Sequence, residues 1–591
     1  MKRSLTSAVL AFCLAATLNA QQSLEYSIVP AMSGVKRLAD TAPIDGKKSA
    51  PLTIIAAKGE IESASFVLRS KKTVDQVMLK ASDLKTADGK TIPASALDLK
   101  IVKIWYLPGT GWHSYFADST GRTLAPELLL NDETLIKTDD SIKENYLRIT
   151  TPEGETKYVW ISNYVEIDVP LDTWKNRIAD APTLQPFRLD ANAWKQIWVT
   201  VDAPVDAEGL YQGKINVIID GKTAESINVS LRVLPFELPA PKTNYDLTRN
   251  FYASAYCNSS LSGFMAQNGK DQALAEQRLK AVYRNYKRHN LYYPLFSPLR
   301  NSNPETNRIY RRQLEIYKEA GLGTDTIFDA VGRLAPIEYF LHKDRKLPLS
   351  EQTVPADWAK DVLEAKKIAD EIFGKNTVIY HFGWDEPFMS LLQAQRKCWE
   401  FLHDHGMKIY TTGQKNHLYY NAYNEDFINF GGFYTREDSA AVHAMKSRIA
   451  NYAEPHTGIE NPDFVRRKHG LILYLQDFDA TMNYGADGNG WNDFNGAEYN
   501  FRTFNWAFPG TIEPVNTLPF EAFREAIDDV RYATLLRQLA EKAINSGKTQ
   551  NLYAGRQALQ YLALLDAQKA DLNTARLEMI RYILKLRNYV K

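Results

Sequence analysis

The stretch Thr377-Val378-Ile379-Tyr380-His381-Phe382-Gly383-Trp384-Asp385-Glu386-Pro387 decides how the rest of the chain is read. Its first half is an apolar, β-branched and aromatic run with the length of a buried strand. Its second half ends that strand with a glycine, two adjacent carboxylates and a proline that can donate to no ladder. Upstream, Trp358, Val362, Ala365, Ala369 and Ile372 fall at helical spacing, and Gly374 supplies a C-terminal cap. Downstream, Leu391, Ala394, Cys398 and Phe401 form another helical face closed by Gly406, and Lys408-Ile409-Tyr410-Thr411-Thr412 reads as the next strand. Alternation of helix and strand predicts parallel βα units.

The same alternation extends in both directions. Ala275, Leu279, Val282 and Tyr286 form a further apolar stripe, and Tyr292–Phe296 is strand-like although Pro294 interrupts it. Residues 241–522 match the size of a (β/α)8 TIM-like barrel. A doubly wound sheet is the runner-up, unsupported by any GxGxxG or Walker sequence. Residues 523–591 read as a C-terminal helical extension, with runs such as Leu535-Leu536-Arg537-Gln538-Leu539. Before the barrel, residues 21–240 carry many short strands, among them Ile61–Leu68, Leu97–Val102, Ile197–Val201 and Lys214–Ile218. Short strands separated by turns predict a β-sandwich. Leu234-Pro235-Phe236-Glu237-Leu238-Pro239-Ala240-Pro241, with three prolines, reads as the extended connection between the two.

At 591 residues, 45% hydrophobic and 24% charged, the chain has the composition of a folded multidomain protein. Met1-Lys2-Arg3, an apolar run from Ala8 to Ala16 and Ala20 resemble a secretory leader, so residues 1–20 are expected to be removed and the protein exported to a bacterial periplasm or the medium. That run is too short to span a bilayer, and no later stretch predicts membrane insertion. The net charge is +1, and −1 once Lys2 and Arg3 leave. A chain without a basic field is a poor partner for nucleic acid. Cys257 and Cys398 remain after the leader, and spacing alone does not decide whether they pair.

Asp385 and Glu386 are the leading catalytic candidates. Adjacent carboxylates repel when both are ionised, so one of them is expected to hold its proton to higher pH. Such a group can protonate a leaving oxygen. The bland alternative is a solvated turn in which Asp385 caps the next helix. A second candidate begins at Leu471-Ile472-Leu473-Tyr474-Leu475, read as a strand leading to Asp477 and Asp479. The loop that follows holds Asn483, Tyr484, Asp487, Trp491, Asn492 and Asp493. Polar groups beside Tyr and Trp are what a sugar subsite requires, while the plain alternative is a glycine-rich surface loop. Asp487, Asn489 and Glu498 only partly match a calcium loop, with Trp491 and Asn492 at its fifth and sixth places. His403 and His405 lack a third ligand for zinc. No metal or organic cofactor is expected.

Three stretches together resemble glycoside hydrolase family 123 and the wider uncharacterised family sharing its catalytic domain. They are Gly383-Trp384-Asp385-Glu386-Pro387, the segment Phe520–Tyr532 with its Glu-x-x-Arg-Glu-x-x-Asp-Asp pattern, and the junction Ala207–Gly213 with Leu234–Pro239. The resemblance implies a β-sandwich, a (β/α)8 barrel and retaining cleavage of a β-linked N-acetylgalactosamine glycan. It implies Glu386 as general acid/base and Asp385 as the residue that orients the substrate's 2-acetamido group; Trp384, next to them in sequence, is a candidate substrate-binding residue. Tyr434 is a candidate hydrogen-bond partner of that acetamido group. The loop from Asp487 to Asn495 resembles uncharacterised members more than the galactosaminidases, which leaves the sugar open. Two other readings stand beside this one. In the first, Glu386 works with a distant carboxylate, Asp477 or Asp479, on a sugar without the acetamido group. In the second, the chain is a non-catalytic carbohydrate-binding protein.

Overall fold

The computed structural model describes residues 24–108, 112, 121–162, 175–329, 353–387, 389–413, 426–432, 435–452, 459–487, 490–491, 494–495, 501–502 and 505–590. The expected leader, Tyr434 and Asp493 lie outside the described residues.

The N-terminal region folds as two facing sheets. One has the order Lys47–Lys48, Leu24–Val29, Ile61–Ser70, Trp194–Asp202, Leu97–Pro108, Arg122–Leu130. The other has the order Phe187–Leu189, Val74–Ala81, Gly209–Ile219, Lys222–Glu237, Leu52–Lys58. Ile227, Val229, Leu231 and Val233 face inward while Asn228 and Arg232 face solvent, the period-two pattern of a half-buried strand. Between Ile219 and Lys222 the chain reverses through Asp220 and Gly221, both with left-handed backbone, as a tight hairpin requires. A separate three-stranded sheet, Ile136–Asp139, Glu144–Thr150 and Thr156–Trp160, is appended to this unit.

The second region is a curled, fully parallel sheet of seven strands. In chain order these are β1 (Tyr252–Ala255), β2 (Thr326–Phe328), β3 (Val378–Phe382), β4 (Lys408–Gly413), β5 (Phe427–Phe430), β6 (Arg448–Asn451) and β7 (Ala480–Asn483). They lie in the order β1-β7-β6-β5-β4-β3-β2. The segment 293–296 runs between the two edges. Tyr293 and Leu295 donate to Ala253 and Ala255 of β1, each at 3.0 Å, and Phe296 donates to Phe328 of β2 at 2.7 Å. Pro294, which has no N–H, sits where none is used. Inside the curl, Phe328, Tyr380, Phe382, Tyr410 and Phe427 form one apolar cluster. The alternate residues Ile379, Ile409, Ile428 and Ile449 pack outward against helices such as Gln272–Arg288 and Ala356–Phe373.

Two sequence expectations are corrected. Leu471–Leu475 is not a strand but helical, within the turns Lys468–Ile472 and Leu473–Leu475. A short apolar run reads alike as buried strand or buried helix, and the real strand, β7, begins only at Ala480. The expected boundary at residue 522 falls inside one 27-residue helix, Leu518–Ile544. That helix carries buried charges where a sequence pattern suggests a solvated face. Glu521 accepts from His289 of the second region at 3.1 Å and from Trp198 of the sandwich at 3.2 Å. Asp529 accepts from Arg466 at 2.7 Å and from Arg576 of the C-terminal helix Leu572–Tyr589 at 2.7 Å. This helix thus fastens all three regions together. Cys257 and Cys398 are both buried free thiols, not a disulfide.

Candidate active site

The two adjacent acids stand immediately beyond the C-terminal end of β3, and local backbone chemistry explains how both face one side. Gly383 extends the ladder by one bond, donating to Tyr410 at 2.8 Å. A Cβ at this position would lie 2.5 Å from the Thr411 methyl, so only glycine fits. The chain then leaves the sheet: Trp384 donates its N–H to the Gln395 side chain at 2.8 Å, and Glu386 donates its own to Thr412 Oγ1 at 2.9 Å. Glu386 has left-handed backbone, with φ of 43°. This breaks the alternation that would send consecutive side chains to opposite faces.

Each carboxylate is held by a neighbouring strand end. Thr412, in β4, donates its hydroxyl to Asp385 Oδ1, and Tyr452, which follows β6, donates its phenol to Glu386 Oε1. Tyr256 after β1 and Tyr484 after β7 complete the surroundings, their rings 5.8 Å apart and edge to face. Asn429 of β5 donates to the Tyr256 phenol at 3.3 Å. The C-terminal ends of six of the seven strands therefore meet around the pair.

Asp385 is reached by solvent through the mouth, yet the protein packed around it withholds water from its charged form. That burial, joined by the charge of Glu386, raises its pKa, and the Thr412 hydrogen bond opposes the shift. The sequence predicts that one of the pair is raised, and Asp385 is so. Burial first, and then the hydrogen bond to Glu386 and its charge, push the Tyr452 phenol well above its ordinary value. Burial and the charge of Asp385 do the same for Tyr256 and Tyr484. The phenols stay protonated and remain donors. Such a mouth offers two adjacent carboxyls, phenolic donors and aromatic edges: equipment for proton transfer to and from a polar ligand.

Of the other residues singled out from sequence, Trp384 is half-buried beside the pair and Tyr484 is at the mouth. Asp477 and Asp479 are corrected: both precede β7 and lie at the opposite end of the sheet. Asp477 pairs with Arg436 at 2.5 Å and Asn244 at 2.6 Å, and Asp479 with His443 at 2.9 Å and Tyr245 at 2.6 Å. Trp491 is also corrected. It is fully buried, stacked on Phe508 with centroids 4.9 Å apart, and donates to the Pro509 carbonyl at 2.7 Å. Asp487 braces the chain after β1, accepting from Asn258 N at 2.7 Å and from the hydroxyls of Ser259 and Tyr286. His403 pairs with Asp426 at 2.7 Å. Thr412, Tyr452, Tyr256 and Asn429 were not singled out. Thr412 ends a run legible as a strand, but nothing local marks Tyr452.

No protein-family profile matches the chain, and no curated protein matches it in sequence. Among solved structures, it is similar to a family 123 glycoside hydrolase from Clostridium perfringens, described for glycolipid glycan hydrolysis. The TM-score is 0.58 at 13% identity, over 95% of this chain and 100% of the other. The chain has a family-123-like fold. A Bacteroides ovatus GH5 xyloglucanase in complex with a XXXG heptasaccharide also matches, with a TM-score of 0.30 and 8% identity over 80% of this chain and 98% of that one, too low to bear on the argument. At 13% identity the first likeness is one of fold, and the chemistry of this chain has to be argued from its own residues.

Proposed function

We propose that the chain is an exported, retaining exo-glycosidase, a β-N-acetylhexosaminidase favouring N-acetylgalactosamine and acting by substrate-assisted catalysis. In this reading the seven strands and the segment 293–296 form a closed (β/α)8 barrel whose catalytic mouth is the C-terminal rim. The observation that carries the reading is the adjacent pair Asp385 and Glu386, held from one side by Thr412 and Tyr452.

The upward shift falls on Asp385, so Glu386 takes the acid role from the family resemblance and not from that shift; in its acid form it gives its proton to the glycosidic oxygen as the C1–O bond breaks. The carbonyl oxygen of the substrate's 2-acetamido group forms the new bond to C1. Ionised Asp385 accepts the amide N–H and steadies the positive charge that develops on the cyclised group. Water then attacks C1, Glu386 takes its proton back, and the acetamido group is released with the anomeric configuration retained. Tyr452, donating to Glu386 Oε1, leaves the transferable proton to Oε2. No protein nucleophile is needed, the substrate-assisted exception to the two-carboxylate rule.

A reading in which Asp477 or Asp479 is nucleophile or base is disfavoured by distance. Four residues of β7 separate Asp479 from the C-terminal rim, about 13 Å of strand, against roughly 5–9.5 Å between the carboxyls of ordinary glycosidases.

The test compares aryl β-GalNAc, β-GlcNAc and β-galactoside substrates, with the product anomer read by NMR. Cleavage with retention is expected for the acetamido sugars, and a rate on the galactoside roughly 10³-fold lower, since the internal nucleophile is missing. Equal rates on all three would exclude substrate assistance.

A further inference from the structure

The appended sheet has two unlike faces. Ile136, Leu147 and Ile149 point inward and are buried with Trp491 and Phe508. The outer face presents Tyr146 and Arg148 on Glu144–Thr150, and Tyr158 and Trp160 on the edge strand Thr156–Trp160. Tyr158 is 42% and Trp160 45% exposed, unusual for large aromatics at positions i and i+2 of one strand.

Both rings are fastened at their polar tips. Trp160 donates its indole N–H across the sheet to Glu144 Oε2 at 2.7 Å, and the Tyr158 phenol donates to the Thr134 carbonyl at 2.7 Å. A ring tied at its root by the strand and at its tip by a hydrogen bond lies along the sheet with a face to solvent. Register sets Tyr146 opposite Trp160 and Arg148 opposite Tyr158, so aromatic and hydrogen-bonding side chains are neighbours on the same face. The two positions are about 7 Å apart along the strand, a step that two consecutive pyranose rings of one chain can cover. Their preset orientation means that little side-chain freedom is lost on binding.

The inner face of the sheet packs on the chain that follows β7. Trp491 and Phe508, which pack under it, belong to the segment leaving the C-terminal end of β7, where Tyr484 stands beside the acids. Thr511 of that segment accepts from Ile178 N at 2.8 Å.

We propose that this outer face is a second carbohydrate-binding site, on which Trp160 and Tyr158 stack against the C–H faces of a β-linked amino-sugar chain while Tyr146, and the remaining N–H groups of Arg148, whose Nη1 is held by Asp132 and Thr134 at 2.6 Å each, offer hydrogen bonds to its hydroxyls. It binds the polymer without taking part in bond cleavage. The choice of ligand rests on the glycosidase reading of Asp385 and Glu386, whereas the platform itself does not.

The test uses full-length Glu386→Gln protein and isothermal titration calorimetry with chitohexaose and with unsulfated chondroitin hexasaccharide. At least one hexasaccharide is expected to bind, Trp160→Ala in that background to weaken it about tenfold, and Trp160→Phe to retain it within about threefold. Trp160→Ala in the otherwise native chain is expected to leave kcat/KM on an aryl monosaccharide unchanged. Binding of neither hexasaccharide, or affinity unaltered by Trp160→Ala, overturns the proposal. So does a concentration-dependent dimer, seen by sedimentation, that Trp160→Ala abolishes. If hexasaccharide binding depends on Trp160 while no aryl glycoside is cleaved, the platform stands and the catalytic reading falls.

Discussion

Replacing Thr412 by valine removes one hydroxyl from a buried site and keeps its shape. That hydroxyl donates to Asp385 and accepts from the amide of Glu386, so a single oxygen sets both acids. A hydrogen bond to a charged group contributes about 1.5–3 kcal/mol, and a neutral one about 1 kcal/mol. If the carboxylate bond alone is felt in the transition state, kcat/KM falls by about 10- to 150-fold. The substitution also moves the pH profile in a fixed direction. Burial and Glu386 raise the pKa of Asp385, and Thr412 is the group that lowers it. Without Thr412 the pKa rises further, so ionised Asp385 is lost at a higher pH and the acidic limb of kcat/KM moves up. Initial rates on an aryl β-GalNAc substrate between pH 4 and 9 measure both effects, and Thr412→Ser, which keeps the hydroxyl, recovers most of the activity. A Thr412→Val enzyme with kcat/KM within twofold of wild type and an unmoved acidic limb would refute the clamp.

Trp491→Ala empties a packed aromatic site and is expected to destabilise the fold by about 3–5 kcal/mol in urea titration, with KM changed less than twofold. A large rise in KM at unchanged stability would return Trp491 to the sugar site. Asp529→Ala leaves Arg466 and Arg576 buried without their shared carboxylate, and a loss of about 3–5 kcal/mol is expected in the same titration. Glu60 is pushed by burial from 4.5 to about 7, with Asp528 adding to the rise. An acid raised on folding contributes stability that is full below its unfolded value and is lost as pH rises through the folded one. Thermal unfolding of Glu60→Gln is therefore expected to depend less on pH between 4.5 and 7 than that of wild type, and an unchanged dependence would count against the assignment.

What could be read in the sequence was local. The strand before Asp385, the stripes around Val362 and Val282 and the glycine corner at 383 are periodic or conformational signals carried within a dozen residues. Failures arose where burial or partners came from far along the chain. Leu471–Leu475 is apolar on every side because the Leu518–Ile544 helix covers it so closely that a Cβ at Gly470 would lie 2.7 Å from the Ala526 carbonyl. Asp479 reads as a strand-end acid only if Leu471–Leu475 is the strand, whereas the strand follows it, from Ala480 to Asn483. Trp491 illustrates an ambiguity that composition cannot resolve, since the same indole serves a core or a sugar face. Tyr452 reaches Glu386 across 66 residues of sequence, a contact that only the folding of β3 and β6 into one sheet creates.

The most direct measurement is kcat/KM of Glu386→Gln on an aryl β-N-acetylgalactosaminide, with Tm recorded alongside. The amide keeps the shape of the side chain but cannot protonate the leaving oxygen. A fall of about 10²- to 10⁴-fold at unchanged Tm, shrinking as the leaving group becomes more acidic, is the predicted result. Activity equal to wild type would contradict the assignment of the acid and, with it, the proposed chemistry of the mouth.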